Sequence, residues 1–236
     1  MPNGLFVLGT DTGVGKTLVA CALIRLFRQR GLDAVGFKPI ATGAESGRWL
    51  DAEALCDASY RVEPPEKVCP LRYAAALAPV PAARLEGAAP DLDAAREAMR
   101  ELAGRHELLV AEGVGGLLVP MDSRTLLVDF VRETRLPAVL VARAALGTIN
   151  HTLLSLRELD RAGVPVAALI LNVTRAEDAA NVSPSRQEIE RHAGRAISAV
   201  IPHLELKADA GAAPGCLVPL AVQHLAAQLD APRLLG

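Results

Sequence analysis

The chain has 236 residues, of which 51% are apolar and 22% are charged, and its formal net charge is −2. This length favours a single α/β domain over residues 1–236, and half the side chains are available for its core. The small net charge argues against a broad nucleic-acid surface, and no apolar run approaches the ~18 residues that a membrane-spanning helix needs.

The amino terminus and the cysteines predict a cytoplasmic protein. The opening segment MPNGLFVLGTD has neither the basic stretch nor the small-residue cleavage site of a signal peptide. The four cysteines show no C-x-x-C pair and no metal-finger spacing; they are Cys21, Cys56, Cys69 and Cys216. We expect them to be reduced residues of the core or the loops.

Short aliphatic runs predict the strands of a parallel sheet. In chain order they cover residues 5–9, the weaker run 34–40, 108–113, 137–142 and 166–172. The four stronger runs have continuous rather than alternating apolar residues, which is typical of strands that are buried on both faces of a parallel sheet.

Helical patterns lie between these runs. They cover residues 17–30, 91–103, 126–134, 148–162, 185–192 and 218–229. Strands that alternate with helices predict a doubly wound α/β fold, with a mostly parallel sheet flanked by helices. The proline- and alanine-rich stretch 64–90 is expected to be an extended loop with one or two short helices.

The stretch GTDTGVGKT, residues 9–17, predicts a phosphate-binding loop. Its first and last glycines are separated by five residues, one more than in the common G-x-x-x-x-G-K-[ST] pattern. The loop follows a predicted strand and opens a predicted helix, so backbone N–H groups and the helix terminus can face phosphate oxygens. Lys16 can then reach the terminal phosphates, while the Thr17 hydroxyl can bind Mg²⁺.

Four motifs together resemble those of the dethiobiotin synthetases. GTDTGVGKT, GFKPIATG, EGVGGLLVP and LGTINHTLLSL occur in the order and spacing of that family, between residue 4 and about residue 160. The family is a branch of the P-loop NTPase fold that includes the ParA/MinD ATPases. The resemblance implies ATP-dependent closure of a ureido ring from 7,8-diaminopelargonate and CO₂ or bicarbonate, with ATP and Mg²⁺ required.

The resemblance assigns the chemistry to Lys16, Lys38 and Thr12, and the metal to three oxygen ligands. Lys16 and Lys38 would surround the carbamate and the transferring phosphoryl group, which suits a reaction that depends on positioning and charge neutralisation. Thr17, Asp51 and Glu112 would bind Mg²⁺. Asp51 also fits the N-cap of a helix that begins at Ala52, and this alternative does not exclude the metal role.

The substrate and nucleotide contacts also come from the resemblance. The substrate residues would be Thr12, Lys38, Thr42, Glu112, Gly115, Gly147, Thr148 and Asn150. The turn at 147–150 would come from the partner subunit and hold the remote carboxylate of the substrate, which implies a homodimer with its active sites at the interface.

The nucleotide contacts would extend from the phosphate loop to the adenine ring. They are Asp11, Thr12, Gly13, Val14, Gly15, Lys16, Thr17, Asp51, Glu112, Gly113, Val114, Gly115, Asn172, Ile201 and Pro202. The residues after Asn172 depart from the family pattern, since no proline follows until Pro184. Selectivity for ATP over other triphosphates therefore stays open.

Two other functions fit a phosphate loop of this kind. A ParA/MinD-type switch ATPase would carry a signature lysine where this chain has Asp11, and it often has a basic surface or a membrane-binding terminal helix. An amide-forming synthetase of the cobyrinate a,c-diamide type would add a glutaminase domain, for which this chain is too short. Both are weaker predictions, and neither a nucleic-acid nor a membrane partner is expected.

Overall fold

The central feature of the fold is a sheet of six parallel strands. The computed structural model describes residues 3–205, 217–230 and 232–235. The strand order is β2-β5-β1-β6-β7-β8, and every neighbouring pair in it is parallel. The six strands are β1 (Gly4–Gly9), β2 (Ala34–Phe37), β5 (Leu108–Glu112), β6 (Ala138–Arg143), β7 (Val166–Asn172) and β8 (Ala199–Ile201).

Helices cover both faces of this sheet. They are α1 (Lys16–Gln29), α2 (Leu50–Ala58), α3 (Pro65–Val68), α4 (Pro79–Leu85), α5 (Leu92–Arg105), α6 (Leu127–Thr134), α7 (Thr148–Arg161), α8 (Val182–Ala193) and α9 (Val218–Gln228). Short 3₁₀ segments lie at Ala176–Asn181, before α8, and at Pro232–Leu235, after α9. No helix in the described ranges is both long and apolar enough to cross a membrane.

The two faces of the sheet bury separate apolar layers, because successive side chains of a strand point in opposite directions. On β1, Leu5 and Val7 pack with α1, α2 and α9, whereas Phe6 and Leu8 pack with α5, α6 and α7. All four side chains are fully buried. The continuous apolar runs in the sequence therefore predicted a sheet covered on both sides correctly.

The predicted strand at 34–40 is in fact two strands that belong to different sheets. β2 ends at Phe37, and β3 (Ile40–Thr42) pairs in parallel with β4 (Leu71–Tyr73) in a separate two-stranded sheet. Pro39 stands between them, where a residue without an N–H ends the ladder of β2. The stretch 64–90 contains α3, β4 and α4, so the prediction of one or two helices there was right but missed a strand.

Several boundaries also differ from the predictions. Helix α2 begins at Leu50 with Trp49 at its N-cap, so Asp51 lies in the first turn and is not the cap. Helix α8 begins at Val182 instead of residue 185. The β8 strand was not predicted, because three residues are too few to show a pattern. Cys216 lies outside the described residues, and the other three cysteines are buried and free.

Candidate active site

A cleft of about 610 Å³ opens at the carboxyl ends of three adjacent strands. The phosphate loop follows β1, Lys38 follows β2 directly, and Glu112 is the last residue of β5. Because β2, β5 and β1 are neighbours in the sheet, three segments that are distant in sequence meet at one edge. This is the edge at which open α/β sheets bind ligands.

The phosphate loop is held in shape by its own polar groups. Asp11 accepts a hydrogen bond from the Thr12 N–H through Oδ1 at 2.7 Å, and its carbonyl accepts one from Lys16 Nζ at 2.9 Å. Gly13 and Gly15 have φ values of 71° and 97°, in the left-handed region where a side chain is disfavoured. Gly15 is the N-cap of α1, so the positive end of that helix faces the cleft.

Lys38 lies between two carboxylates on the floor of the cleft. Its Nζ is 2.7 Å from Glu112 Oε1 and 2.8 Å from Asp51 Oδ2. Lys38 is 2% exposed and Glu112 is fully buried, whereas half of the Asp51 side chain is open to the cleft. Two lysines and two carboxylates of the cleft thus balance in charge before any substrate enters.

The environment shifts the pKa values of these groups in different directions. Burial lowers the pKa of Lys16 despite the opposing effect of Glu112. Burial acts in the same sense on Lys38, but Glu112 and Asp51 outweigh it and raise its pKa, so this ammonium stays charged. Burial raises the pKa of Glu112. For Asp51, burial is overcome by the Lys38 cation, which lowers its pKa.

Oxygen atoms of three side chains converge beside these lysines. Thr17 Oγ1 is 3.0 Å from Asp51 Oδ1 and 2.8 Å from Glu112 Oε1, although a hydroxyl has only one hydrogen to donate. The buried Glu112 Oε2 has no hydrogen-bond partner among the described residues. A cation would satisfy this oxygen. The set of one hydroxyl and two carboxylates fits Mg²⁺, which keeps several waters and takes further ligands from phosphates.

Most of the predicted site residues line this cleft. They are Thr12, Gly13, Gly15, Lys16, Thr17, Lys38, Thr42, Asp51, Glu112, Gly113, Val114 and Gly115. Of the other predicted nucleotide residues, Asp11 and Val14 belong to the phosphate loop but border a separate, much smaller cavity. The Gly113 N–H donates to the Val7 carbonyl at 2.9 Å, so this hydrogen bond holds the segment after β5 to β1.

The residues predicted to contact adenine lie outside the cleft. Asn172 ends β7 and is buried, with its Nδ2 donating to the Val14 carbonyl at 2.9 Å. Ile201 is fully buried in the core, and only the next residue, Pro202, is exposed. A contact between nucleotide and the Ile201 side chain would need a rearrangement here, which makes Pro202 the more accessible of the two.

The turn predicted to hold the substrate carboxylate also lies outside the cleft. Gly147 and Asn150 are exposed, whereas Thr148 is buried and its N–H donates to the Ala145 carbonyl at 3.0 Å. The N–H of Thr148 is therefore already paired within its own chain. Within one chain, this turn and the two lysines do not share a cavity.

One wall of the cleft was missed by the sequence analysis. It is formed by Ala76, Leu77, Ala78 and Pro79, and Val119 also lines the cleft. These apolar residues suit a methylene chain, but nothing in the composition of the 64–90 stretch distinguishes them from packing residues. A second cavity, of about 640 Å³, lies between α5 and α6. Charged side chains such as Arg96 and Glu133 are among the residues that line it, and it contains none of the predicted site residues.

Comparison with known proteins decides the family. A family profile described as an AAA domain matches residues 3–210. An ATP-dependent dethiobiotin synthetase BioD of Anaeromyxobacter dehalogenans is 51% identical over 200 residues, which cover 85% of this chain and 90% of the relative. The chain belongs to the dethiobiotin synthetase family. The protein of the same name from Bacillus licheniformis is 36% identical and covers 86% of this chain and 87% of its own length.

Solved structures show how widely the fold of the dethiobiotin synthetase family is shared. MinD in the MinC:MinD cell division complex of Aquifex aeolicus matches with a TM-score of 0.59 and 14% identity, over 99% of this chain and 96% of that one. A ParA family ATPase of Chlorobium tepidum matches with a TM-score of 0.54 and 12% identity, over 99% of both chains. At such low identity these structures confirm the P-loop fold and carry no conclusion about activity.

Proposed function

We propose that this chain is an ATP-dependent dethiobiotin synthetase, a C–N bond-forming cyclo-ligase of biotin biosynthesis. Its substrates would be 7,8-diaminopelargonate, CO₂ and ATP, and its products dethiobiotin, ADP and phosphate. The observation that carries the proposal is the meeting of Lys16, Lys38 and the Thr17–Asp51–Glu112 oxygens in one cleft. The family relationship supplies the substrate class.

The reaction would form and break bonds in three steps. One amine of the substrate adds to CO₂ and loses a proton, which gives a carbamate. A carbamate oxygen then attacks the γ-phosphorus of ATP, and ADP leaves. The second amine attacks the carbamoyl carbon of this mixed anhydride, the C–O bond to phosphate breaks, and the ureido ring closes as phosphate and a proton depart.

Two cations suit the charge that this sequence must concentrate. The carbamate and the γ-phosphoryl group are both anionic, so their approach is opposed by electrostatic repulsion until positive charge lies between them. Lys16, in the phosphate loop, would neutralise the phosphates, and Lys38 would neutralise the carbamate. Lys38 must leave part of its present contact with Glu112 and Asp51 to do so, and the anionic carbamate would then replace the carboxylates that now raise the pKa of Lys38.

The oxygen ligands described above would hold Mg²⁺, with Thr17, Asp51 and Glu112 as its protein ligands. When bound, Mg²⁺ would supply positive charge to the phosphate oxygens of ATP. The chain itself orients the phosphates through the loop N–H groups and shields the site with the apolar wall from Ala76 to Pro79.

A homodimer would complete the site. The substrate has a carboxylate at the end of its chain, and the cleft of one subunit brings no described residue of the 147–150 turn to it. We propose that a partner subunit contributes Gly147, Thr148 and Asn150, and that the protein acts in the cytoplasm. The exposure of Gly147 and Asn150 supports a contact with a second chain.

One incubation tests the function. Purified protein is mixed with diamine, bicarbonate and Mg-ATP, and the product is analysed by mass spectrometry for a cyclic urea. We expect ATP consumption that requires both diamine and bicarbonate. A switch ATPase of the MinD or ParA type would consume ATP at the same rate without them, and that result would contradict the proposal.

A further inference from the structure

Asn172 connects three segments of the molecule that meet at the phosphate loop. Its side-chain Nδ2 donates to the Val14 carbonyl at 2.9 Å. Its own carbonyl accepts from the Ala144 N–H at 2.9 Å, at the start of the segment that leads to α7. The next residue, Val173, donates to the Ile201 carbonyl at 2.9 Å.

The fit between this side chain and the loop depends on a glycine. A β-carbon built at Gly15 would collide with Asn172 Nδ2 and lie 3.3 Å from Asn172 Cγ. The amide therefore occupies the space that a side chain at position 15 would need. Asn172 is 4% exposed, so no solvent competes for this contact to any extent. The absence of a side chain at Gly15 thus serves the docking of Asn172 as well as the positive φ of the loop.

The hydrogen bond also fixes the direction of one loop N–H. In a planar trans peptide the carbonyl oxygen and the following N–H point in opposite directions. Because the Val14 carbonyl is held toward Asn172, the Gly15 N–H is turned away from Asn172. Gly15 lines the cleft, where a bound phosphate would meet N–H groups of the loop.

From this geometry we infer that Asn172 is a positioning residue of the phosphate loop: through the Val14 carbonyl it holds the loop in the conformation that binds phosphate. This role is separate from any contact that Asn172 makes with the base, and it rests on the proposed use of a nucleoside triphosphate. It couples the base side of the site, at the ends of β7 and β8, to the phosphate side.

A ligand without a base separates the two roles. Inorganic tripolyphosphate with Mg²⁺ can occupy the phosphate loop but offers nothing to a residue that recognises only adenine. We expect Asn172→Ala to weaken the binding of both Mg-ATP and Mg-tripolyphosphate by about five- to tenfold, as loss of one buried hydrogen bond implies. Isothermal titration calorimetry on the full chain gives both dissociation constants.

The matched control removes a side-chain hydrogen bond from the same strand at a distance from the loop. Ser198 Oγ accepts from the Leu169 N–H on β7 at 3.1 Å. Ser198→Ala should leave both dissociation constants within about twofold of those of the wild type. Weaker ATP binding with unchanged tripolyphosphate binding in Asn172→Ala would overturn the inference, because Asn172 would then act on the base alone. Unchanged binding of both ligands would overturn it too.

Hydrogen exchange supplies a second test that needs no ligand. Amide exchange of residues 13–17 should accelerate about tenfold in Asn172→Ala, while exchange in the central strands stays unchanged. Asn172→Asp keeps the shape of the side chain but replaces the donor with an acceptor, so its loop should exchange at least as fast. Equal loop exchange in all three proteins would overturn the inference. If wild-type protein bound neither ligand, the proposed function would fail instead, and the exchange result would still judge the role of Asn172.

Discussion

Two clusters of buried charge lie at opposite ends of the same pair of strands. At the carboxyl ends of β2 and β5, Lys38 contacts Glu112 and Asp51 in an open cleft. At the amino ends, His106 lies between Asp33 and Glu63, with Nδ1 at 2.8 Å from Asp33 Oδ2 and Nε2 at 3.1 Å from Glu63 Oε1. Both clusters place a nitrogen between two carboxylates.

The clusters differ in what they leave unpaired. Both ring nitrogens of His106 lie within 3.1 Å of a carboxylate oxygen, and Glu63 also pairs with Arg105 at 3.0 Å. Glu112 Oε2, in contrast, has no partner among the described residues, and the group lines a cleft that can admit a ligand. Burial of charge therefore does not identify a site by itself. An unsatisfied polar atom beside an open cavity does identify a site, because a bound cation or anion can supply the partner that this atom lacks.

The largest expected effect concerns the carboxyl-end cluster. Lys38→Ala should lower kcat for dethiobiotin formation by about 100- to 1000-fold, because the charge of the transferring group loses a fixed cation. ATP affinity should change little, since Lys16 and the loop remain. Product is measured by mass spectrometry and affinity by calorimetry. Unchanged turnover would remove Lys38 from the mechanism.

The control for this variant is a lysine that lies away from the cleft. Lys67 forms a surface ion pair with Glu101, and its side chain is 38% exposed. Lys67→Ala should keep full turnover, since an exposed pair contributes little to stability. A loss of turnover in both variants would indicate a general effect of removing positive charge. The effect of Lys38→Ala would then not be specific to the cleft.

The next effect should appear at the amino-end cluster and only in stability. His106→Ala leaves a cavity beside the buried Glu63 and removes the contacts of the ring with two carboxylates, so the free energy of unfolding should fall by about 2 kcal/mol. Urea denaturation measures this change. The exposed His192, which pairs with Glu188, is the matched control, and its alanine variant should change stability by less than about 0.5 kcal/mol. A fall in kcat for His106→Ala would contradict the structural role of this cluster.

The sequence predicted the cleft better than its surroundings. The phosphate loop, Lys38 and Glu112 each stand directly after an apolar run. Because parallel strands have their carboxyl ends at the same edge of a sheet, these groups come together there. The apolar wall from Ala76 to Pro79 could not be found in this way. Its position depends on the tertiary fold of the 64–90 stretch, including the pairing of β3 with β4.

Asn172 shows a different limit of sequence analysis. Its place at the end of a strand was predicted, and the resemblance assigned it to the adenine ring. Its hydrogen bond to the Val14 carbonyl joins residues 158 positions apart, and no local pattern encodes such a contact. The prediction that the molecule is a single domain, and the individual roles of the site residues, stay predictions.

A smaller effect is expected from the 147–150 turn, which a second subunit would bring to the cleft. Asn150→Ala should raise KM for the diamine about tenfold and leave kcat within about twofold, since a group that binds the remote carboxylate acts before the chemistry. Asn181→Ala, at the end of a 3₁₀ segment, is the matched control. Steady-state kinetics with varied diamine measure both constants. A change in kcat alone would contradict this assignment.

Mixed dimers sharpen the same test. If Lys38 of one chain and Asn150 of the other share a site, a dimer of Lys38→Ala with Asn150→Ala has one site with both defects and one intact site. Mixing the two inactive or weakened proteins should then restore turnover at low diamine concentration. Sites built within one chain would show no such recovery, because each would keep its own defect.

The smallest effect separates the two lysines of the cleft by their response to pH. Burial lowers the pKa of Lys16 below the ordinary 10.5, and the neighbouring Lys38 cation contributes in the same direction. Phosphate binds the protonated amine, so binding raises this pKa, and affinity must fall as pH rises through the pKa of the free protein. Below about pH 10.5 we therefore expect Mg-ATP affinity to fall as the pH rises, at a lower pH than an unperturbed lysine would require.

The Lys38→Ala variant tests the origin of this response. Without the Lys38 cation, and with Glu112 released to interact with Lys16, the pKa of Lys16 should rise toward its ordinary range. The pH dependence of Mg-ATP affinity should therefore move to higher pH, which calorimetric titrations across the same range would detect. A steeper fall in the variant would mean that Lys38 does not act on Lys16 through its charge. The two ammonium groups would then have to be treated as independent, even though they line one cleft.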